Sequence, residues 1–78
     1  MVNLRLKKYV LEVLENQLKA DNPEEVSNTL NRLIELGYEE KIAKEKIVAV
    51  LLVEIYDVLK TNTPYNEKRY IQNLKNLK

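Results

Sequence analysis

Between residues 39 and 60 the chain carries a segment whose apolar residues run most of the way round a helix. Ile42, Ile47, Val48, Ala49, Leu51, Leu52, Ile55, Tyr56, Val58 and Leu59 cover more than half of the circumference at 100° per residue. Only a narrow polar arc, holding Lys46, Glu54 and Asp57, interrupts them. The stretch Ile47 to Val53 is rich in β-branched residues and would also suit a buried strand. Helical periodicity nevertheless continues through Lys44 to Lys46 and through Glu54 to Lys60, with no turn residues at either edge, so the pattern predicts a helix over 39–60. A helix that is apolar almost all round is normally the central one, because several neighbours are needed to cover it.

The remaining punctuation divides the chain into three further helices. Over 4–20, Leu4, Leu6, Tyr9, Val10, Leu11, Val13, Leu14 and Leu18 share one broad arc, opposite Lys8, Glu12, Glu15, Asn16 and Lys19. Asp21-Asn22-Pro23-Glu24-Glu25 is a helix start: Asn22 suits the N-cap, Pro23 the first helical position and Glu25 the capping-box position. Val26, Leu30, Leu33, Ile34 and Leu36 then form one stripe, and Gly37, the only glycine, reads as a left-handed cap ending a helix over 23–36. Pro64 blocks continuation of the third helix, and Asn66 is the next N-cap candidate. Tyr70, Ile71, Leu74 and Leu77 make the stripe of a final helix over 66–77, with Lys75 and Lys78 at its negative end.

These faces predict an all-α fold: a compact bundle of about four helices with the third at the centre, forming a single domain over 1–78. A chain of 78 residues with 45% apolar and 32% charged residues has the material for one core, while one glycine and two prolines are too few for a turn-rich β protein. So short a domain is marginal alone unless its helices pack very well or share a core with a partner. The breadth of the first and third apolar arcs points to sharing, with Leu6, Val10, Val13, Ile47, Leu51, Ile55 and Val58 as the candidate interface of a homodimer or of a complex with another protein.

Chemistry is scarce. Cysteine, histidine, tryptophan and phenylalanine are absent, which removes disulfides, Cys/His zinc sites, thiol nucleophiles and imidazole bases. Ser27, the one serine, has no histidine to activate it, and Gly37 alone makes no phosphate loop. Asp21, Glu24 and Glu25 cluster at a helix start but have no calcium-loop spacing and read as capping residues. No cofactor, metal or small-molecule substrate is implied. Glu54 and Asp57, three apart, are the one carboxylate pair placed for acid–base work, and the plainer alternative is a solvated strip beside Lys46 and Lys60. Glu54 lies near the apolar boundary and is a candidate buried carboxylate; its partner would be Tyr56 of another subunit, a lysine of the first helix, or Arg69. All five aromatic residues are tyrosines, and Tyr38 and Tyr65, each following a helix break, suit the ends of the bundle.

Charge is uneven along the chain. Net charge is +2 over 1–20, −5 over 21–40, +1 over 41–60 and +3 over 61–78. Lys68, Arg69, Lys75 and Lys78 form a candidate basic patch, but they are dispersed on a short helix with no aromatic platform, so nucleic acid is the weaker reading. A further possibility is that the acidic second helix of one subunit faces the basic fourth helix of another. The longest apolar run, Ile47 to Val53, is far short of the ~20 residues of a membrane span. Glu12 and Glu15 interrupt any leader following the basic Met1 to Lys8 stretch, and the expected compartment is the cytoplasm.

From Asn22 to Leu77 the order of signals resembles a family of small uncharacterised bacterial helical domains. The matching features are Asn22-Pro23-Glu24-Glu25-Val26, Leu36-Gly37-Tyr38, Ala43 through Val50-Leu51, Glu54-Ile55-Tyr56, Leu59-Lys60, Pro64-Tyr65-Asn66, and Tyr70 with Leu74 to Leu77. The resemblance implies a helical fold and no activity. Histidine near the start of the third helix is part of that family's pattern, whereas Lys44 and Lys46 stand here, so no metal site carries over. The functional expectation is a non-enzymatic protein-interaction or self-association module, with a weak nucleic-acid-binding or regulatory accessory domain as the alternative.

Overall fold

The computed structural model describes residues 4–78. The basic stretch that opens at Met1 therefore begins outside the described residues, as does the side chain of Leu4. Four helices follow in order: α1 (Leu4–Ala20), α2 (Glu24–Glu35), α3 (Glu40–Thr61) and α4 (Glu67–Asn76). They form an all-α bundle in which α3 packs against each of the other three, and α2 also touches α1 and α4. Among the described residues there is no strand, and the β-branched run of α3 is helical throughout. No helix among them is long and apolar enough to cross a membrane.

The core is built from helical spacings. Ala43, Ile47, Val48, Leu51 and Glu54 turn one side of α3 inward. They meet Val10 and Leu14 of α1, Val26, Leu30 and Leu33 of α2, and Tyr70 and Leu74 of α4. Leu6, Val13, Leu18, Tyr38, Val50, Leu52, Ile55 and Leu77 pack at the margin of this cluster, half-buried. Two expectations need correction. Val10, Ile47 and Leu51 lie inside the core and are closed to any partner. The narrow polar arc of α3 is not its solvent face: Glu54 is buried, while Ile42, Ala49, Val53, Tyr56 and Leu59 on the other side are exposed.

The helix ends show how the sequence stops each element. At the start of α2, Pro23 is itself the cap, with extended φ −76° and ψ 148°, and it follows a cis peptide bond from Asn22. Its carbonyl accepts the amide of Val26 at 3.1 Å, so the helix opens at Glu24, and neither Asn22 as cap nor Glu25 as its capping-box partner holds. α3 likewise begins and ends one residue later than expected, with Asn62 taking the left-handed cap at φ 54°. α4 is capped as its sequence suggests: the Asn66 side chain accepts the amide of Arg69 at 2.9 Å. At its other end Leu77 is extended and lies outside the helix.

Gly37 closes α2. The amide of Gly37 donates to Ile34 at 3.0 Å and that of Tyr38 to Leu33 at 3.2 Å, the paired bonds of a Schellman cap. The glycine's φ of +109° is a conformation that side chains resist, yet a Cβ there would meet no atom within 4 Å. The cap is therefore conformational and not steric in its demand. Gly37→Ala should lower stability by about 1 kcal/mol, and Gly37→Asn by less, because asparagine tolerates positive φ; urea titration of the three proteins would check the ranking.

Candidate functional site

The most organised polar cluster joins α3 to α4. Glu54 points from the buried side of α3, 1% exposed, and its whole carboxylate is engaged. Arg69 Nε donates to Oε1 at 2.9 Å and to Oε2 at 3.0 Å, and Arg69 Nη2 donates to Oε2 at 2.7 Å. Asn73, one turn further along α4, donates its amide to Oε1 at 3.3 Å. Asp57, one turn from Glu54, takes a second hydrogen bond from Arg69 Nη2 at 2.5 Å. A forked guanidinium over a carboxylate is the geometry that makes such a pair strong. The hydrogen bonds of Glu54, assisted by the charges of Glu54 and Asp57, push the Arg69 guanidinium above its ordinary range despite an opposing effect of burial. Of the three partners that the sequence offered Glu54, the structure selects Arg69; Tyr56 lies exposed on a different side of α3.

This cluster redraws two expectations. Glu54 and Asp57 do not form a solvated strip beside Lys46 and Lys60: they converge on one guanidinium, and Lys46 sits 4.6 Å above the ring of Tyr38. The basic patch loses Arg69, held by two carboxylates, and keeps Lys68, Lys75 and Lys78 as exposed cations. Chemically the arrangement is a latch. Each oxygen of Glu54 already accepts a hydrogen bond, and the carboxylate is shut away from solvent. Among the described residues no three carboxylates converge as metal ligands would.

Two further contacts fix α4. Arg32 of α2 donates to the carbonyl of Leu74 at 2.8 Å and to that of Leu77 at 2.5 Å, so a cation from a neighbouring helix caps the negative end of α4. The α2–α4 contact also brings the acidic second helix against the basic fourth within one chain. Tyr70 is fully buried, and its hydroxyl donates to Gln17 of α1 at 3.0 Å. The Tyr65 ring lies tilted against it, with centroids 6.2 Å apart. Burial pushes the Tyr70 phenol well above its ordinary 10.0, with Tyr65 adding to the effect. Burial, followed by the charges of Glu67 and Glu54, pushes Tyr65 up to about 12. Lys44 of α3 pairs with Glu15 of α1 at 2.9 Å, and the hydrogen bond that the lysine donates to that carboxylate raises its pKa.

The second feature is apolar. Leu6, Val13, Ile55 and Val58, with the buried Leu51 at the floor, are five of the seven candidate interface residues and line a groove of about 560 Å³ between α1 and the C-terminal half of α3. Tyr9, Gln17, Leu59 and Tyr65 complete its walls. Beyond it, the outward side of α3 leaves Leu59 68%, Val53 56%, Tyr56 43% and Ile42 40% exposed. The groove was legible from the broad arcs of the first and third helices. The outward face was not, because Glu54 and Asp57 made the opposite side look like the wet one. Comparison of the chain with protein-family models, with curated proteins and with solved structures finds no match.

Three outcomes follow from the latch and its neighbours. Arg69→Met strands a buried carboxylate, so it should destabilise the fold more than Asp57→Asn. Urea midpoints of the two variants would check the ranking. Arg32→Met should cost about 1–2 kcal/mol and speed amide exchange in α4 before any other helix. Tyr70 contributes stability that is intact below pH 10.0, its unfolded value, and drains away as pH rises beyond it. Tyr70→Phe, at the loss of about 1 kcal/mol for the Gln17 bond, should therefore flatten the alkaline fall in thermal midpoint.

Proposed function

We propose that this chain is a non-enzymatic helical protein-interaction module, associating with itself or with another protein through the apolar surface that its bundle leaves uncovered. The observation that carries the reading is the exposure of Val53, Tyr56 and Leu59 on one turn after another of the central helix, beside the groove of α1 and α3. Large apolar side chains scattered singly are ordinary on a protein surface, whereas contiguous ones mark an interaction site. A short domain gains most from such an arrangement, since a partner supplies the cover that its own few helices lack. A cytoplasmic setting suits the absence of cysteine. The alternative, a nucleic-acid-binding or regulatory accessory domain using the basic C-terminal helix, draws little support, because Arg69 is taken up by Glu54 and Asp57.

The test uses a surface variant carrying Val53→Glu and Leu59→Glu, shown by circular dichroism to remain helical. Wild type and variant are immobilised at equal density and exposed to an extract of the source cell supplemented with the free, labelled chain. A stoichiometric partner, whether the chain itself or another protein, should stay on the wild type and be lost from the variant. Identical retention on both, or none on either, would defeat the reading.

A further inference from the structure

Six positions along the outward side of α3 share a repeat. Ile42, Glu45, Ala49, Leu52, Tyr56 and Leu59 are spaced by three, four, three, four and three, the repeat of a coiled-coil seam. The six positions lie along the outward side of one unbroken helix, opposite the core-facing Ala43, Ile47, Leu51 and Glu54. Five of the six are exposed and Leu52 is half-buried. Of the six, Leu52 packs at the margin of the core and Leu59 edges the groove, while Ile42, Glu45, Ala49 and Tyr56 face outward.

We infer that the seam is the contact between two copies of this chain, with their α3 helices antiparallel about a dyad between Val50 and Leu51. This inference rests on the interaction-module reading above and names its partner and face. The seam is self-complementary in this arrangement. A dyad at that point sets Ile42 against Leu59 of the partner subunit and the small Ala49 against the larger Leu52 of the partner subunit. It also sets Glu45, the one charged residue in the seam, against Tyr56 of the partner subunit, whose phenol donates the hydrogen bond that the carboxylate accepts. Each of these matches occurs twice by symmetry, as an isologous interface requires. Beside the seam, the dyad brings Glu45 towards Lys60 of the partner subunit, and no seam position meets a like charge. A parallel pairing loses these matches: it sets Glu45 against Glu45 and Ala49 against Ala49.

The size of the contact sets its strength. From Ile42 to Leu59 the seam is roughly 26 Å long, on a helix about 10 Å across. That strip is smaller than a standard specific interface of about 800 Å² per partner, so the dimer is weak, concentration-dependent and not obligate. Val53 and Lys46 flank one side and the half-buried Ile55 the other, so some apolar surface continues past the seam itself.

Analytical ultracentrifugation of the full chain from micromolar to millimolar concentration should show a monomer–dimer equilibrium with a limiting mass near twice 9.2 kDa. Ala49→Glu introduces a charge next to the dyad and should weaken the dimer by about tenfold or more. Tyr56→Glu, a second variant at an exposed position, places a like charge against Glu45 of the partner subunit and should do the same, whereas Tyr9→Lys in the groove should leave the dimer intact. Orientation is read by disulfide trapping, since the chain has no native cysteine. Glu45→Cys mixed with Tyr56→Cys should cross-link on mild oxidation, and Glu45→Cys alone should not. A dimer that survives both seam variants, or is lost on Tyr9→Lys alone, overturns the seam while leaving self-association in place. A monomer at millimolar concentration overturns the dimer, and the extract experiment then decides separately whether another protein uses this surface.

Discussion

The burial of one carboxylate organises the fold. Glu54 is buried on the central helix, which also turns Ile47 and Leu51 inward, and a charge there is tolerable only with a cation and full hydrogen bonding. Arg69 meets both demands, and it meets them from one place alone, because its planar fork must lie against both oxygens while its far nitrogen reaches Asp57. The rotation and height of α4 along α3 follow from that geometry. An apolar pair would pack as well at this point and would have no reason to prefer one register over a neighbouring one.

The latch also settles which way α3 faces. Every helix of a bundle this small has a wet side, and on α3 the polar residues best suited to it have been drawn inward to hold α4. The outward side is left mostly to Ile42, Ala49, Leu52, Val53, Tyr56 and Leu59, with Glu45 among them. The apolar surface that suits a partner and the buried ion pair that fixes the fold are thus two sides of one exchange. A helix given an ordinary charged outer face would have no need of either.

How much of this a reader of the sequence alone would see depends on the range of the interaction. Helix positions and the central place of α3 follow from periodicity and from Gly37, Pro64 and Asn66, all of which act within a turn or two. The start of α2 shifted by one residue because capping depends on the backbone at Pro23, where extended geometry moved the cap off Asn22. Glu54 stood out by its position at the apolar boundary, and Arg69 was one of three partners that the sequence could supply. Choosing among them needs the distance between two helices, which no local pattern encodes. Arg32 at the end of α4 carried no signal at all: it lies 42 residues from Leu74, and nothing about an arginine on the second helix marks it as a cap for the fourth. The same limit placed Val10, Ile47 and Leu51 on a surface, since breadth of an apolar arc says how much must be covered and not by which neighbour.

α4 is where these strands of the argument meet. It is the shortest of the four helices, with ten residues, and a helix of that length is marginal in isolation. Only Tyr70 and Leu74 are fully buried on it, so apolar area alone anchors it weakly. Directional bonds make up the difference at three points: Arg69 on α3, the Tyr70 hydroxyl on α1, and the Arg32 guanidinium of α2 at its terminal carbonyls. Each comes from a different neighbour, so together they remove rotation, tilt and sliding, which a single greasy stripe would leave partly free. With α4 held this way, α3 is locked against rotation about its own axis as well. That rigidity is what allows its outward residues to present one fixed face, and a weak interface gains most from a face that needs no reordering before it binds.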